Sequence, residues 1–149
     1  MTWTLRSTNA DDAAWLADLR AEVLRADLTR LGRYDALRVR KRFFDAFEPA
    51  WTRVIVVDGT DCGSIAVRPA LDEQWIEHFY LDTAYQGRGI GGGVLAAVLN
   101  AEDPRPFRLN VLQGSPARRL YERHGFITDA EDNVDVFMVR VADPYSPRD

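Results

Sequence analysis

The sequence predicts a mixed α+β domain organised around one sheet. Three observations lead there. Short segments rich in branched and aromatic residues alternate with segments of helical spacing. Their order is irregular rather than a strict strand–helix repeat. The 149 residues suit one domain, large enough to bury a core without disulfides or a structural metal.

Residues 3–8 (WTLRST) alternate and read as a first strand. Asn9 or Asp11 can cap a helix that carries Trp15, Leu16, Leu19, Val23 and Leu24 on one stripe. A second helical stretch covers residues 35–48 and stops at Pro49, which cannot continue a helix. Residues 52–58 and 63–69 flank the turn 59–61 and read as a hairpin. Residues 74–81 (QWIEHFYL) read as a buried strand. A glycine-rich turn and an apolar helix follow directly. A proline-punctuated connection at 103–106 leads to a strand over 107–112. The last helix opens with Ser115 at its cap and Pro116 at its first turn, and it ends before Gly125. Residues 134–141 close the sheet. The domain is expected to span residues 1–142, with 143–149 as a loose tail.

Composition narrows the function classes. Hydrophobic residues make up 46% and charged residues 28% of the chain, so disorder is not expected. No apolar run approaches the roughly 18 residues that would span a bilayer, and the first residues lack the basic flank and hydrophobic stretch of a signal peptide. The expected setting is cytoplasmic, with no membrane partner. A net charge of −4 argues against a nucleic-acid partner. The single cysteine, Cys62, excludes an internal disulfide and, with only two histidines beside it, leaves no expectation of a metal site.

The chemistry concentrates in residues 85–100 (YQGRGIGGGVLAAVLN), where glycines crowd the start of a helix although glycine is unfavourable there. A helix N-terminus offers unpaired N–H groups and a partial positive charge, which suits a phosphate or pyrophosphate. A Walker loop would need Lys and then Ser or Thr after its last glycine, whereas Val94 follows Gly93. Gly87, Gly89 and Gly92 satisfy G-x-G-x-x-G spacing. The dinucleotide fold, however, places that motif in its first strand–helix unit and an acidic residue at the end of the next strand, and here that strand ends in Leu112-Gln113.

The third pattern fits. Gln86-Gly87-Arg88-Gly89-Ile90-Gly91 matches the Q/R-x-x-G-x-G/A signature of the GCN5-related N-acetyltransferase (GNAT) superfamily. Residues 76–91 resemble that family's fourth strand and pyrophosphate loop, and residues 109–126 resemble its fifth strand and following helix. The resemblance covers the whole chain in element order, and its specific motifs lie between about residues 75 and 126. It implies a mostly antiparallel sheet of six to seven strands flanked by about four helices, with strands four and five splayed. It also implies direct transfer of acetyl from acetyl-coenzyme A to an amine, without a metal or a covalent acetyl-enzyme. Gly87, Gly89 and Gly91 are assigned to the phosphates, with Gln86, Arg88 and Ile90 in the same loop; Gly92 and Gly93 can instead serve helix–sheet packing. Main-chain groups of Phe79 and Leu81 would pair with the pantetheine arm.

Direct attack needs a neutral amine. Deprotonating a lysine-like amine at pH 7 costs about 4.6 kcal/mol, and an α-amino group about 1. Strict alternation places Trp75, Glu77, Phe79 and Leu81 on one face and Ile76, His78 and Tyr80 on the other. The resemblance puts Glu77 where small-molecule members carry a cleft-side glutamate. The competing reading pairs Glu77 with Arg38 or Arg40 of the second helix, and His78 is a second possible base. The resemblance makes Tyr121 the acid for the departing thiolate, against a packing role beside Leu120. Ser115 stands where many members carry a coenzyme-contacting Asn, with Asn110 as a partial substitute. Arg118 and Arg119 are read as solvated and Cys62 as inert.

The acceptor site is expected around residues 26–35 and the first two helices, and the acidic balance points mildly to a cationic amine. A small-molecule amine is the first expectation and a protein N-terminus or lysine the second. From another class, the fold could be a non-catalytic acyl-coenzyme A sensor or interaction module; a nucleotide-dependent oxidoreductase is the outside reading. A homodimer is the assembly such families often form.

Overall fold

A computed structural model describes residues 2–141. The tail expected at 143–149 lies outside the described residues. Seven strands form one sheet in the order β1-β2-β3-β4-β5-β7-β6. They are β1 (Trp3–Ser7), β2 (Thr52–Val57), β3 (Thr60–Pro69), β4 (Gln74–Leu81), β5 (Phe107–Leu112), β6 (Ile127–Glu131) and β7 (Asp135–Arg140). The helices are α1 (Ala13–Arg30), α2 (Ala36–Ala46), α3 (Ile90–Leu99) and α4 (Ala117–Arg123). This is the predicted α+β architecture, antiparallel throughout except where β4 meets β5.

Two cores cover the two faces. On one, α3 and α4 pack Val94, Leu95 and Tyr121 against Ile55, Ile65, Ile76 and Leu109 of the sheet. On the other, α1 and α2 bury Leu16, Leu19 and Phe43 against Tyr80. Asn9 caps a 3-10 turn ahead of α1 by accepting from Asp11 N–H, and Asp12 returns a bond to the Asn9 N–H. Asp35 caps α2 by accepting from the N–H groups of Leu37 and Arg38.

The hairpin turn falls earlier than the sequence predicts. Asp58 and Gly59 both take left-handed φ values, 49° and 83°, the conformation that two-residue hairpins require. Cys62 therefore lies inside β3, buried, with its thiol donating to the Ile55 carbonyl at 3.4 Å. Burial and the nearby carboxylates of Asp82 and Asp61 raise its pKa, consistent with an inert thiol. The strand β6 escapes the sequence reading altogether. Its residues ITDAE are all exposed on a sheet edge, so no apolar alternation marks them. Arg108 and Arg118 hold it through Asp129, Thr128 and Glu131.

Gly63 sits where β3 meets β4, and a Cβ there would collide with the Tyr80 backbone carbonyl and crowd Leu81 Cα. Gly63→Ala should therefore cost about 3 kcal/mol or more, since a strand must shift to make room. A thermal melt lowered by roughly 10 °C checks this; an unchanged melt would show that the strands yield freely.

Candidate functional site: a cleft between parting strands

The sheet opens at its centre. β4 and β5 pair in parallel only at Gln74–Phe107 and Trp75–Arg108, and beyond Trp75 they separate. Gln74, buried, holds the closed end: its N–H donates to Pro106 O and its side chain to Arg105 O. The opening belongs to a cleft of about 1390 Å³ that reaches from the α1–α2 connection to the glycine turn before α3.

A bulge in β4 shapes the cleft floor. The register with β3 shifts between Ser64–Tyr80 and Ala66–Glu77, and His78 takes φ 48°. Two successive side chains then face the same way, so the predicted alternation breaks. Ile76, Phe79 and Leu81 pack on the α3–α4 side. His78 and Tyr80 turn toward α1 and α2, where Phe43 meets the His78 ring edge-on at 4.9 Å. Glu77 stays with this second group, away from Phe79 and Leu81.

The Glu77 carboxylate accepts from Arg68 Nε, a cross-strand neighbour on β3 rather than Arg38 or Arg40. Arg68 also lies 5.7 Å over the Trp75 ring. Both nitrogens of His78 are buried without a hydrogen-bond partner among the described residues. Burial first, and the Arg20 charge second, push its pKa down to about 4, with Glu77 opposing. Against an ordinary value near 6.5, a lowered folded pKa means that protonation favours unfolding. This contribution to stability is complete above pH 6.5 and is lost as pH falls toward 4. His78→Asn, which tolerates positive φ, should flatten the stability–pH slope in that window by about 3 kcal/mol in total. An identical slope in chemical denaturation would show that His78 charges freely in the folded state.

Across the opening stands Tyr121 on α4, 8% exposed. Its ring contacts Phe79 and Phe126 at centroid distances of 6.5 and 5.9 Å. Its hydroxyl forms no hydrogen bond among the described residues, and Tyr121 lines the cleft. Burial, with a smaller contribution from Tyr80, raises its pKa above the usual phenol value, so the hydroxyl keeps its proton at neutral pH. The position is both core and cleft wall.

The glycine turn closes the other end. Gly87 and Gly89 take φ values of 75° and 80°, and a Cβ at either would meet no atom within 4 Å. Their lack of a side chain serves the backbone conformation and leaves open space outside. Gly89 is the N-cap of α3 and has no side-chain cap; the first helical bond runs from Gly93 N–H to Gly89 O at 3.0 Å. The N–H groups of Ile90, Gly91 and Gly92 thus have no intrahelical acceptor. Gln86 steadies the turn by donating from Nε2 to Leu81 O at 2.8 Å, which leaves that carbonyl only one lone pair for any other donor. Arg88 lies over the Tyr85 ring at 5.9 Å. Gly93 serves packing, as its sequence position suggested: a Cβ there would lie 2.9 Å from Trp3 Nε1.

Ser115 lines the cleft while its hydroxyl accepts from Ala117 N–H at 3.2 Å in the turn ahead of α4, whose N-cap is Pro116 rather than the expected Ser115. Asn110 Nδ2 reaches Asp135 at 3.4 Å. Arg118 is occupied by β6. The sequence shows no readable pocket in the first two helices, yet Arg20, Tyr34, Arg38 and Arg42 line the cleft there. Arg20 donates to the Tyr80 hydroxyl at 2.9 Å and to Val39 O, tying both helices to β4. The signal available in sequence was the spacing of Arg38 and Arg42, one turn apart beside the buried pair Val39 and Phe43.

Comparison with known proteins agrees with this architecture. Residues 50–128 match the family model described as Acetyltransferase (GNAT) domain. No curated protein matches the chain. Among solved structures, the PaiA N-acetyltransferase from Thermoplasma acidophilum, in complex with coenzyme A, superposes with a TM-score of 0.75 at 18% identity, covering 95% of this chain and 100% of that one. A histone acetyltransferase HPA2-related protein from Corynebacterium glutamicum gives 0.73 at 16% identity, over 98% and 100%. A putative phosphinothricin N-acetyltransferase gives 0.69 at 18%, over 94% and 98%. With more than half of its length matched by the family model and a sheet that parts between β4 and β5, the chain belongs to the GNAT acetyltransferase family.

Proposed function

We propose that the protein transfers acetyl from acetyl-coenzyme A directly to a primary amine of a small molecule. The observation that carries this reading is that one cleft holds three things together: the amides that open α3, the gap between β4 and β5, and a Tyr121 hydroxyl without a hydrogen-bond partner among the described residues. The amides of Ile90, Gly91 and Gly92, with Gly87 and Gly89 in the turn ahead of them, suit a pyrophosphate, since they combine donors without an intrahelical acceptor with the positive end of a helix. Phe79 and Leu81, the latter with one carbonyl lone pair left beside Gln86, suit amide groups laid along the gap, with Gln86, Arg88, Ile90 and Ser115 around them. That a neighbour of the same fold was crystallised with coenzyme A supports coenzyme A as the ligand.

The coenzyme supplies an activated thioester; the chain's own groups manage position and protons. Glu77, on the α1–α2 side, takes the proton of the attacking nitrogen directly or through a water. As the new C–N bond forms and the C–S bond breaks, Tyr121 gives its proton to the departing sulfur. Glu77→Gln should lower turnover most at low pH, where free amine is scarcest, and leave coenzyme affinity unchanged. An unaltered pH–rate profile would move the base elsewhere.

Incubation with acetyl-coenzyme A and a panel of amines, read by free thiol release, tests the function. Turnover confined to small amines is the expected result. Coenzyme binding without turnover would favour a sensor or interaction module, and turnover on peptides alone a protein acetyltransferase.

A further inference from the structure

The acceptor half of the cleft has a charge pattern that the whole-chain balance hides. Every carboxylate lining it is already engaged. Glu77 is paired with Arg68, Asp27 with Arg30 at 3.0 Å, and Asp135 with Asn110 at 3.4 Å. Asp35 accepts two N–H groups at the start of α2, and Asp132 accepts from the N–H groups of Val134 and Asp135. The guanidinium groups of Arg38 and Arg42, by contrast, line the same cleft with no hydrogen-bond or ion-pair partner among the described residues.

Their position follows from α2. Val39 and Phe43 are buried, and Arg38 and Arg42 precede them by one residue each, so the two arginines stack one turn apart along the edge of the buried stripe. Phe43 in turn touches His78, which adjoins Glu77. The arginine pair and Glu77 line the same cleft. Planar guanidinium groups recognise carboxylates and related oxyanions through paired, charge-assisted hydrogen bonds, and they repel a second ammonium group.

From this we infer that the acceptor is an amine that also carries an oxyanion, a carboxylate above all: an amino acid or a compound built like one, bound with its anionic group on Arg38 and Arg42 and its nitrogen toward Glu77. This rests on the acetyl-transfer reading of the same cleft and specifies its substrate class. Polyamines and simple alkylamines are excluded as preferred acceptors.

The test is a binding measurement, so it does not depend on turnover. The protein saturated with coenzyme A is titrated calorimetrically with matched pairs: α-amino acids and the amines that lack only the carboxylate. Binding at least about 10-fold tighter for the carboxylated member is expected. In Arg38→Ala/Arg42→Ala that advantage should vanish while coenzyme affinity and melting temperature stay at wild-type values, since both side chains are exposed. Arg38→Lys/Arg42→Lys should restore part of it. Equal affinity within the pairs, tighter binding of the decarboxylated members, or an advantage that survives the double substitution would each overturn the inference. Failure of acetyl transfer itself appears separately, as absent thiol release with these selectivities intact.

Discussion

Gly91→Asp should weaken coenzyme A binding about 100-fold while the protein folds normally. The residue is the second helical position of α3, after the Gly89 cap, and its φ is not positive. A Cβ there would make only ordinary contacts, 3.9 Å from Leu120 Cδ2 and from Phe79 Cζ. Aspartate near a helix N-terminus is compatible with the macrodipole, so stability should hold. The carboxylate would nevertheless stand among the amides assigned to the pyrophosphate, and like charges so placed cost several kcal/mol; about 3 kcal/mol corresponds to the 100-fold loss. Gly91→Ala separates charge from bulk: it should keep most of the affinity and gain a little stability as a better helix former. Equal coenzyme affinity in Gly91→Asp and wild type, by calorimetric titration, would remove the phosphates from this turn.

Tyr121→Phe is expected to lower kcat about 100-fold, the lower range for loss of a positioned proton donor, with coenzyme affinity within a factor of about two. The ring contacts with Phe79 and Phe126 survive the change, and the hydroxyl has no partner among the described residues to orphan, so stability should move little. Burial holds the phenol protonated well past neutrality, so the wild-type rate should show no loss from Tyr121 ionisation in the neutral range. Stopped-flow acetyl transfer at saturating substrates separates these outcomes. A wild-type kcat would return Tyr121 to a packing role.

Much of this fold was legible in the sequence because local signals and burial coincide. Residues 74–81 read as a strand from their branched and aromatic content. The glycine turn reads as a special helix start because so many glycines cost stability unless the main chain must bend sharply or be approached closely. The losses have physical causes. β6 lies exposed on an edge and carries no apolar period. The bulge at His78 cannot be read from composition, since a histidine at positive φ is imposed by pairing of β3 and β4 rather than by its own preference. That one extra residue moved Glu77 away from Phe79 and Leu81 and gave it Arg68 as a partner. The acceptor side was the least legible. Arg38 and Arg42 have no side-chain partner among the described residues, a property of three-dimensional neighbours that the net charge of −4 obscures.

Backbone amide shifts during titration with coenzyme A examine the central assignment at the atoms concerned. The largest changes should fall on Gly87, Gly89, Ile90, Gly91 and Gly92, with a second group at Phe79 and Leu81 along the gap, and β1 and β6 should stay still. Saturable binding that shifts other segments while these amides keep their free positions would contradict the account.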